Sequence, residues 1–189
     1  MNKEKNLNTF IFFLSFLIFK TSFGQEKYFT KTGKIQFFSK TSAENIDATN
    51  RSAAVILDSK TGDLQFAVLM KGFEFKKALM QEHFNSKYVE SDKYPKAEFK
   101  GQITNNSEIK YTADGTYNAK VKGKMTLHGV TKDIETTGTI TIKGGKIIVA
   151  STFNIQLPDY SIKVPAVNRS QISDNIRITV DCPLEVIKS

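Results

Sequence analysis

Hydrophobic and polar residues alternate along most of this chain. Apolar side chains recur at every second position through five stretches, which are residues 64–70, 121–127, 134–142, 147–157 and 176–186. A period of two is typical of strands with one apolar and one solvated face, the usual arrangement in antiparallel sheets. We count about eight or nine short strands over residues 34–186. Many short antiparallel strands in one domain predict a sandwich or a closed barrel.

Turn residues separate the alternating runs. Gly144 and Gly145 stand between two strong strands and predict a tight hairpin. His128 and Gly129 mark a second turn between alternating runs, and we interpret His128 as a residue that serves this turn. Residues 75–95 lack the alternation and carry helical spacings. We therefore expect a short helix or two helical turns there, ending before Pro95 and capping one mouth of the barrel.

The first 24 residues are predicted to be a signal peptide. A basic start is followed by an apolar run at residues 10–19, and Ser22 and Gly24 lie at the expected −3 and −1 positions. The apolar run is too short to span a bilayer as a helix. We expect cleavage after Gly24 and one mature domain at residues 25–189, which is an ordinary domain length. No cysteine stands at the expected cleavage site, so lipid attachment to a new N-terminal cysteine is not expected.

Composition narrows the function further. Cys182 is the only cysteine, so no intrachain disulfide forms and the core itself must hold the fold. The net charge is +8, of which residues 1–24 contribute +2 (three lysines against one glutamate), leaving +6 for residues 25–189. The lysines are scattered, and no basic cluster with interleaved aromatics indicates nucleic-acid binding. Transient contact with anionic membrane lipids is compatible with this charge.

Catalytic signatures are missing from the sequence. The chain has two histidines, His83 and His128, on different predicted elements, and no serine stands in a nucleophile elbow. Cys182 lies on the apolar side of its strand and reads as a buried small hydrophobe. Two distant histidines and scattered carboxylates do not provide a metal site. We predict no enzymatic activity, no metal and no other cofactor.

Apolar side chains are plentiful instead. The chain contains fifteen phenylalanines and no tryptophan, and many of these phenylalanines fall on predicted strands. The interior of an eight-stranded barrel is just wide enough to be filled by side chains or to hold one ligand. Periodicity alone does not choose between a filled core and an apolar cavity, so both remain open at this point.

Four stretches, taken in order, resemble one known family. They are "GKMTLHGVTKDI" at residues 123–134, "EHFNSKYVESDKYPKAEFKGQI" at 82–103, "LPDYSIKVPAV" at 157–167 and "ISDNIRITVDCPLEV" at 172–186. Each is similar to a segment of the YceI-like family of exported polyisoprenoid-binding barrels. The resemblance covers about residues 35–187.

The resemblance implies an all-β fold, a lipocalin-like antiparallel barrel of about eight strands with a short helical segment and an elongated apolar tunnel. Family members bind long isoprenoid chains, such as quinone tails or polyprenyl lipids, without catalysing a reaction. It therefore implies a periplasmic or secreted protein that binds an isoprenoid-like or other long-chain lipid. The alternative is an exported barrel with a filled core that binds a protein or glycan through its surface.

Strand alternation combined with the family fold gives the predicted ligand-binding residues. They share the apolar face of their strands or lie next to the predicted helical segment. The set is Phe37, Phe66, Val68, Met70, Phe73, Phe75, Phe99, Met125, Leu127, Val149, Phe153, Ile155, Ile176, Ile178 and Val180.

Overall fold

The computed structural model describes residues 27–187. The predicted signal peptide lies outside the described residues. Within residues 27–187 there are nine strands and one α-helix, α1 at Ala78–His83. The strands are β1 Lys27–Lys40, β2 Asn45–Asp58, β3 Asp63–Leu69, β4 Phe73–Phe75, β5 Lys96–Ile103, β6 Gly115–Leu127, β7 Val130–Lys143, β8 Lys146–Gln156 and β9 Asn175–Val186.

Eight of these strands close into an antiparallel barrel. Their order is β1-β9-β8-β7-β6-β5-β3-β2, and β2 pairs back with β1. Strand β4 pairs only with residues 48–50 of β2 and adds a short flap to the barrel rim. Inward residues alternate with outward ones along the strands, as in any barrel, except at a bulge in β1. The predicted all-β, eight-stranded antiparallel barrel with a short helical segment is therefore confirmed.

Two predicted turns are present as expected. His128 and Gly129 have φ values of 50° and 74°, and Gly144 and Gly145 have 57° and 76°. Two successive residues with positive φ form the hairpin turn whose twist matches the flanking strands. His128 is thus the turn residue that the sequence indicates, in a conformation that non-glycine residues adopt rarely.

One sequence-based boundary is wrong. The first strand begins at Lys27 rather than near residue 34, because a bulge between Thr30 and Ile35 shifts its alternation. The short helix or two helical turns expected within residues 75–95 are present and end before Pro95, as predicted. Phe75 ends β4, α1 covers only Ala78–His83, and a single π-helical turn continues through Phe84–Tyr88.

Strand β7 separates from β8 toward one end of the barrel. The two strands pair only from Gly138 to Lys143 of β7, and β8 continues alone beside β9. The segment after β8 contacts β7 where the strands diverge. Its residues Leu157, Tyr160, Ile162 and Val164 are all buried. This segment, α1 and the β6–β7 turn all lie at the same end of the barrel.

Candidate functional site: an apolar cavity open at one end

The barrel encloses a cavity of about 880 Å³. Ligand pockets in proteins typically have volumes of about 300–1,000 Å³. The wall is overwhelmingly apolar and is built by the inward residues of the eight barrel strands and β4, with α1 and the loop before β9 at the mouth. The interior is therefore hollow, which argues against the alternative of a filled core.

Every predicted ligand-binding residue lies in the wall of this one cavity. Strand β1 contributes Phe37, and β3 contributes Phe66 and Val68; the others come from β4 to β9 and the turn before β4. These others are Met70, Phe73, Phe75, Phe99, Met125, Leu127, Val149, Phe153, Ile155, Ile176, Ile178 and Val180. The placement agrees with the strand alternation, and contact of these residues with a ligand remains a prediction.

Four phenylalanine rings meet beneath the mouth. Phe84, on the π-helical turn after α1, lies 5.4 Å from Phe37, 5.7 Å from Phe73 and 5.1 Å from Phe75, measured between ring centroids. Tilted and stacked aromatic pairs at such distances stabilise each other beyond their buried area. This cluster attaches the helical segment to β1 and β4. None of the residues in α1 or the π-helical turn is fully buried, so the cluster provides much of its anchorage.

A glycine pair makes room for another ring. Gly101 of β5 and Gly123 of β6 face each other, and a Cβ atom on Gly123 would lie 2.5 Å from the Cα of Gly101. The ring of Phe99 covers this pair, and its tip would overlap the Cβ that an alanine at position 101 would add. A larger residue at either position would collide with this ring and with the backbone of the facing strand.

His128 does not line the cavity. Its Nδ1 donates to the carbonyl oxygen of Tyr160 at 3.1 Å, and its Nε2 lies 2.8 Å from Oε2 of Glu90. The ring also makes an edge-on contact with Tyr94, at 4.6 Å between centroids. The histidine therefore joins the β6–β7 turn to the segment after α1 and to the segment after β8.

Backbone conformation also singles out this junction. Within residues 27–187, the non-glycine residues with positive φ are Glu90, His128 and Ser161. Glu90 bonds to His128, and Ser161 follows the residue whose carbonyl His128 contacts. Such conformations persist only where surrounding contacts over-determine them. The interpretation of His128 as a turn residue is correct for its backbone, but it misses the structural role of the side chain.

Sequence reasoning missed other parts of the wall. Ile35, Val121 and Ile134 also line the cavity, and the same strand alternation identifies them as inward residues. At the mouth, Leu79, Met80, His83, Phe84, Tyr88, Ile162, Val167 and Ile172 contribute as well. These mouth residues lie on irregular or helical segments, where a period of two carries no information.

Two serine hydroxyls of the wall form hydrogen bonds with the backbone. Ser151 donates to the carbonyl oxygen of Thr137 at 2.7 Å, and Ser39 accepts the backbone N–H of Ser173 at 2.9 Å. The imidazole ring of His83 forms no hydrogen bond with another residue in the part of the chain that the structure describes. Over residues 27–187, no cluster of three or more metal-ligating side chains is found. In the same range, no helix has the length and apolarity needed to cross a bilayer.

Cys182 lies away from the cavity, at the opposite end of the barrel. It is fully buried, as its position on the apolar side of β9 predicts. Burial raises the pKa of its thiol to about 11, so the thiol stays protonated near neutral pH and is a poor nucleophile.

Several solved structures are similar to this one, and three of them illustrate the likeness. A polyisoprenoid binding domain from Saccharophagus degradans, implicated in plant cell wall breakdown, matches with a TM-score of 0.75 at 14% identity, over 87% of this chain and 100% of that chain. BcnA from Burkholderia cenocepacia matches with a TM-score of 0.65 at 17% identity, over 82% and 96%. The YCEI protein from Campylobacter jejuni gives 0.54 at 19% identity, over 73% and 81%.

These structural likenesses, all below one-fifth identity, establish the shared fold. Among curated proteins, no relative matches the chain. A family model described as the YceI-like domain matches residues 16–184. Since this match spans nearly the whole chain and agrees with the barrel, the chain belongs to the YceI-like domain family.

Proposed function

We propose that this protein is a non-catalytic binding protein that holds an isoprenoid-like or other long-chain lipid in its barrel cavity. The observation that carries the proposal is the cavity of about 880 Å³ with an apolar wall. Burying apolar surface contributes roughly 25 cal/mol per Å², so a long hydrocarbon chain binds well without a charged anchor.

The shape of the wall favours a flexible chain over a compact ring system. Lining residues extend from Ile140 and Val149 in the barrel interior to Val167 and Leu79 at the rim. The wall side chains are mostly aliphatic residues, methionines and phenylalanines. A linear apolar ligand matches such a lining along its whole length.

A purely binding role is supported by the chemistry of the wall. The hydroxyls of Ser39 and Ser151 are bonded to the backbone rather than to a base, and the thiol lies outside the cavity. Catalysis of acyl or group transfer needs a nucleophile with a positioned base. One of the similar structures is a polyisoprenoid binding domain, and this likeness guides the proposed ligand class.

Export to the periplasm or beyond is part of the proposal. It is supported by the sequence features of residues 1–24 and by the single cysteine, which requires no oxidative pairing. Intact-mass measurement of the exported protein is expected to show a chain that begins at Gln25. A chain that retains residues 10–19 would contradict soluble export, because this run would tether it to a membrane.

Native mass spectrometry after gentle purification tests the binding function. We expect a fraction of the protein to carry a non-covalent adduct of several hundred daltons, which organic extraction releases as a lipid. The matched control is Phe153→Asp, which places a carboxylate in the cavity wall and should lose the adduct. An unliganded mass under conditions that preserve lipid complexes of other proteins would argue against the proposal.

A further inference from the structure

Two of the most exposed hydrophobic side chains of the described residues stand at the mouth of the cavity. Leu79 on α1 is 61% exposed, and Val167 on the short helical turn at Ala166–Asn168 is 82% exposed. Both also line the cavity. Exposed apolar side chains are ordinary when they are scattered, but a pair on the rim of an apolar opening indicates an interaction surface.

The two segments that carry these side chains are linked by a hydrogen bond. The side-chain amide of Asn168 donates to the phenolic oxygen of Tyr88 at 2.9 Å. This bond connects the turn that bears Val167 to the helical segment that bears Leu79. His128 also binds Glu90, which follows the helical segment, and Tyr160, which precedes the turn. Leu79 and Val167 therefore project from two connected segments on either side of one opening.

The charge around the mouth is positive. Residues 76–88 and 162–172 contain four lysines and one arginine against a single carboxylate, Glu82. Two of these lysines form ion pairs with Asp47 and Glu44. Lys87, Lys163 and Arg169 form no ion pair with any residue between 27 and 187, so their charge is available to a partner.

We infer that this mouth docks on the surface of an anionic phospholipid bilayer, with Leu79 and Val167 inserted between headgroups and Lys87, Lys163 and Arg169 facing lipid phosphates. Interfacial binding combines apolar insertion with attraction to anionic lipids, and the mouth offers both. The inference rests on the proposed function, since a docked mouth lets a long-chain lipid pass from the bilayer into the cavity without crossing water.

Vesicle co-sedimentation of the exported protein tests the docking surface. The probes are vesicles of phosphatidylcholine mixed with phosphatidylglycerol and vesicles of phosphatidylcholine alone. We expect the protein to prefer the anionic vesicles, and we expect added salt to weaken that preference. Leu79→Ser with Val167→Ser should reduce binding to the anionic vesicles about tenfold or more, because two inserted apolar side chains are lost.

The matched control is Ile56→Ser with Ile148→Ser, which also removes two exposed apolar side chains, from outer positions distant from the mouth. All variants share one N-terminus, so differences between them report on the substituted positions. We expect the control to bind vesicles as the parent does. Equal loss in the control, or undiminished binding by the Leu79/Val167 variant, would overturn the docking surface.

Charge and self-association are tested separately. Lys87→Gln with Arg169→Gln should lose several-fold in binding to anionic vesicles while binding to phosphatidylcholine alone is unchanged. If the parent is oligomeric and the Leu79/Val167 variant is instead monomeric but still binds vesicles, the mouth is a contact between copies. The inference would then be wrong. Lipid content of each variant, measured by native mass spectrometry, reports on the cavity independently of docking.

Discussion

The two ends of this barrel are built from the same strands and yet differ in packing. At the closed end, Leu57, Ile147 and Leu184 are completely buried. At the hollow end, Phe66, Phe99 and Ile178 are only half-buried, because their inner surfaces face the cavity. Strand β9 belongs to both ends, with Leu184 in the packed core and Ile178 on the cavity wall. An inward position is therefore not necessarily a core position.

A plug accounts for the closed end. The loop between β5 and β6 folds over it, and Ile109 is buried there. Tyr111 stacks on Tyr28 at 6.4 Å and donates to the side-chain oxygen of Asn106 at 2.7 Å. Burial raises the pKa of Tyr111 above its usual range. The other end receives a helix without a fully buried residue, so its interior is left open.

The largest expected contrast comes from a buried charge on strand β8. Ile147→Asp would place a carboxylate in the packed end, at a cost of several kcal/mol. This is a large part of the roughly 5–15 kcal/mol of a typical domain, so we expect thermal melting to show loss of the native fold. Phe153→Asp, six residues along the same face, borders the cavity. There water can hydrate the carboxylate, so we expect a folded protein without lipid.

If Ile147→Asp and Phe153→Asp both unfold, the two ends do not differ as described, since the hollow end would then behave as packed core. A folded Phe153→Asp variant that still carries the same lipid would place Phe153 outside the binding region. Circular dichroism melting and lipid content measured on the same samples separate these results.

Truncations on strand β9 give a smaller contrast. Leu184→Ala should lower the free energy of unfolding by about 2–5 kcal/mol, because it leaves a void in a packed region. Ile178→Ala removes the same number of carbons from a wall that already borders a void. We therefore expect it to cost less than about 2 kcal/mol, near the transfer contribution alone. Urea denaturation of the ligand-free proteins measures both values, and equal losses would contradict the distinction.

His128 tests how the mouth is supported. His128→Ala removes the bonds to Tyr160 and Glu90, and we expect a loss of about 1–3 kcal/mol in the free energy of unfolding. Lipid content should persist, since the ring lies outside the cavity. Glu90→Gln, which keeps one hydrogen-bonding oxygen, should cost less. Loss of lipid at unchanged stability would show that His128 acts on the ligand.

The smallest perturbation is thiol labelling. Burial raises the pKa of Cys182 to about 11, so native protein should resist thiol reagents near neutral pH and react on unfolding. The unfolded thiol, with a pKa of 9.0, ionises first, so stability should fall as pH rises through 9.0 toward 11. Rapid native labelling of Cys182 would show that the closed end opens.

Ile178→Cys should be labelled in the ligand-free cavity and protected by lipid.

The barrel itself could be predicted because alternation and turn chemistry agree along most of the chain. Gly144–Gly145 and His128–Gly129 fix two hairpins through positive φ values, and residues of this kind are visible in the sequence. The start of β1 was missed for a physical reason. Tyr28 and Thr30 face inward on even positions, the bulge follows, and Ile35 and Phe37 face inward on odd ones.

The hollow end could be predicted only in part. Alternation identifies Val149 and Ile147 equally as inward residues, and only Val149 lines the cavity. Which inward residues meet a void depends on what covers each end of the barrel, and loops and short helices decide this without periodic patterns. For the same reason, Phe84 and Val167 at the mouth carried no signal that distinguishes them from ordinary loop residues.

A chain-length series tests the central claim most directly. Delipidated protein would be titrated with polyprenyl alcohols of increasing length, with binding followed by calorimetry. We expect affinity to rise with each added isoprene unit, because each buries more apolar surface, and to level off once the cavity is full. Phe153→Asp should abolish the rise. Affinity that does not depend on chain length, or that is the same in Phe153→Asp, would contradict a lipid-holding cavity.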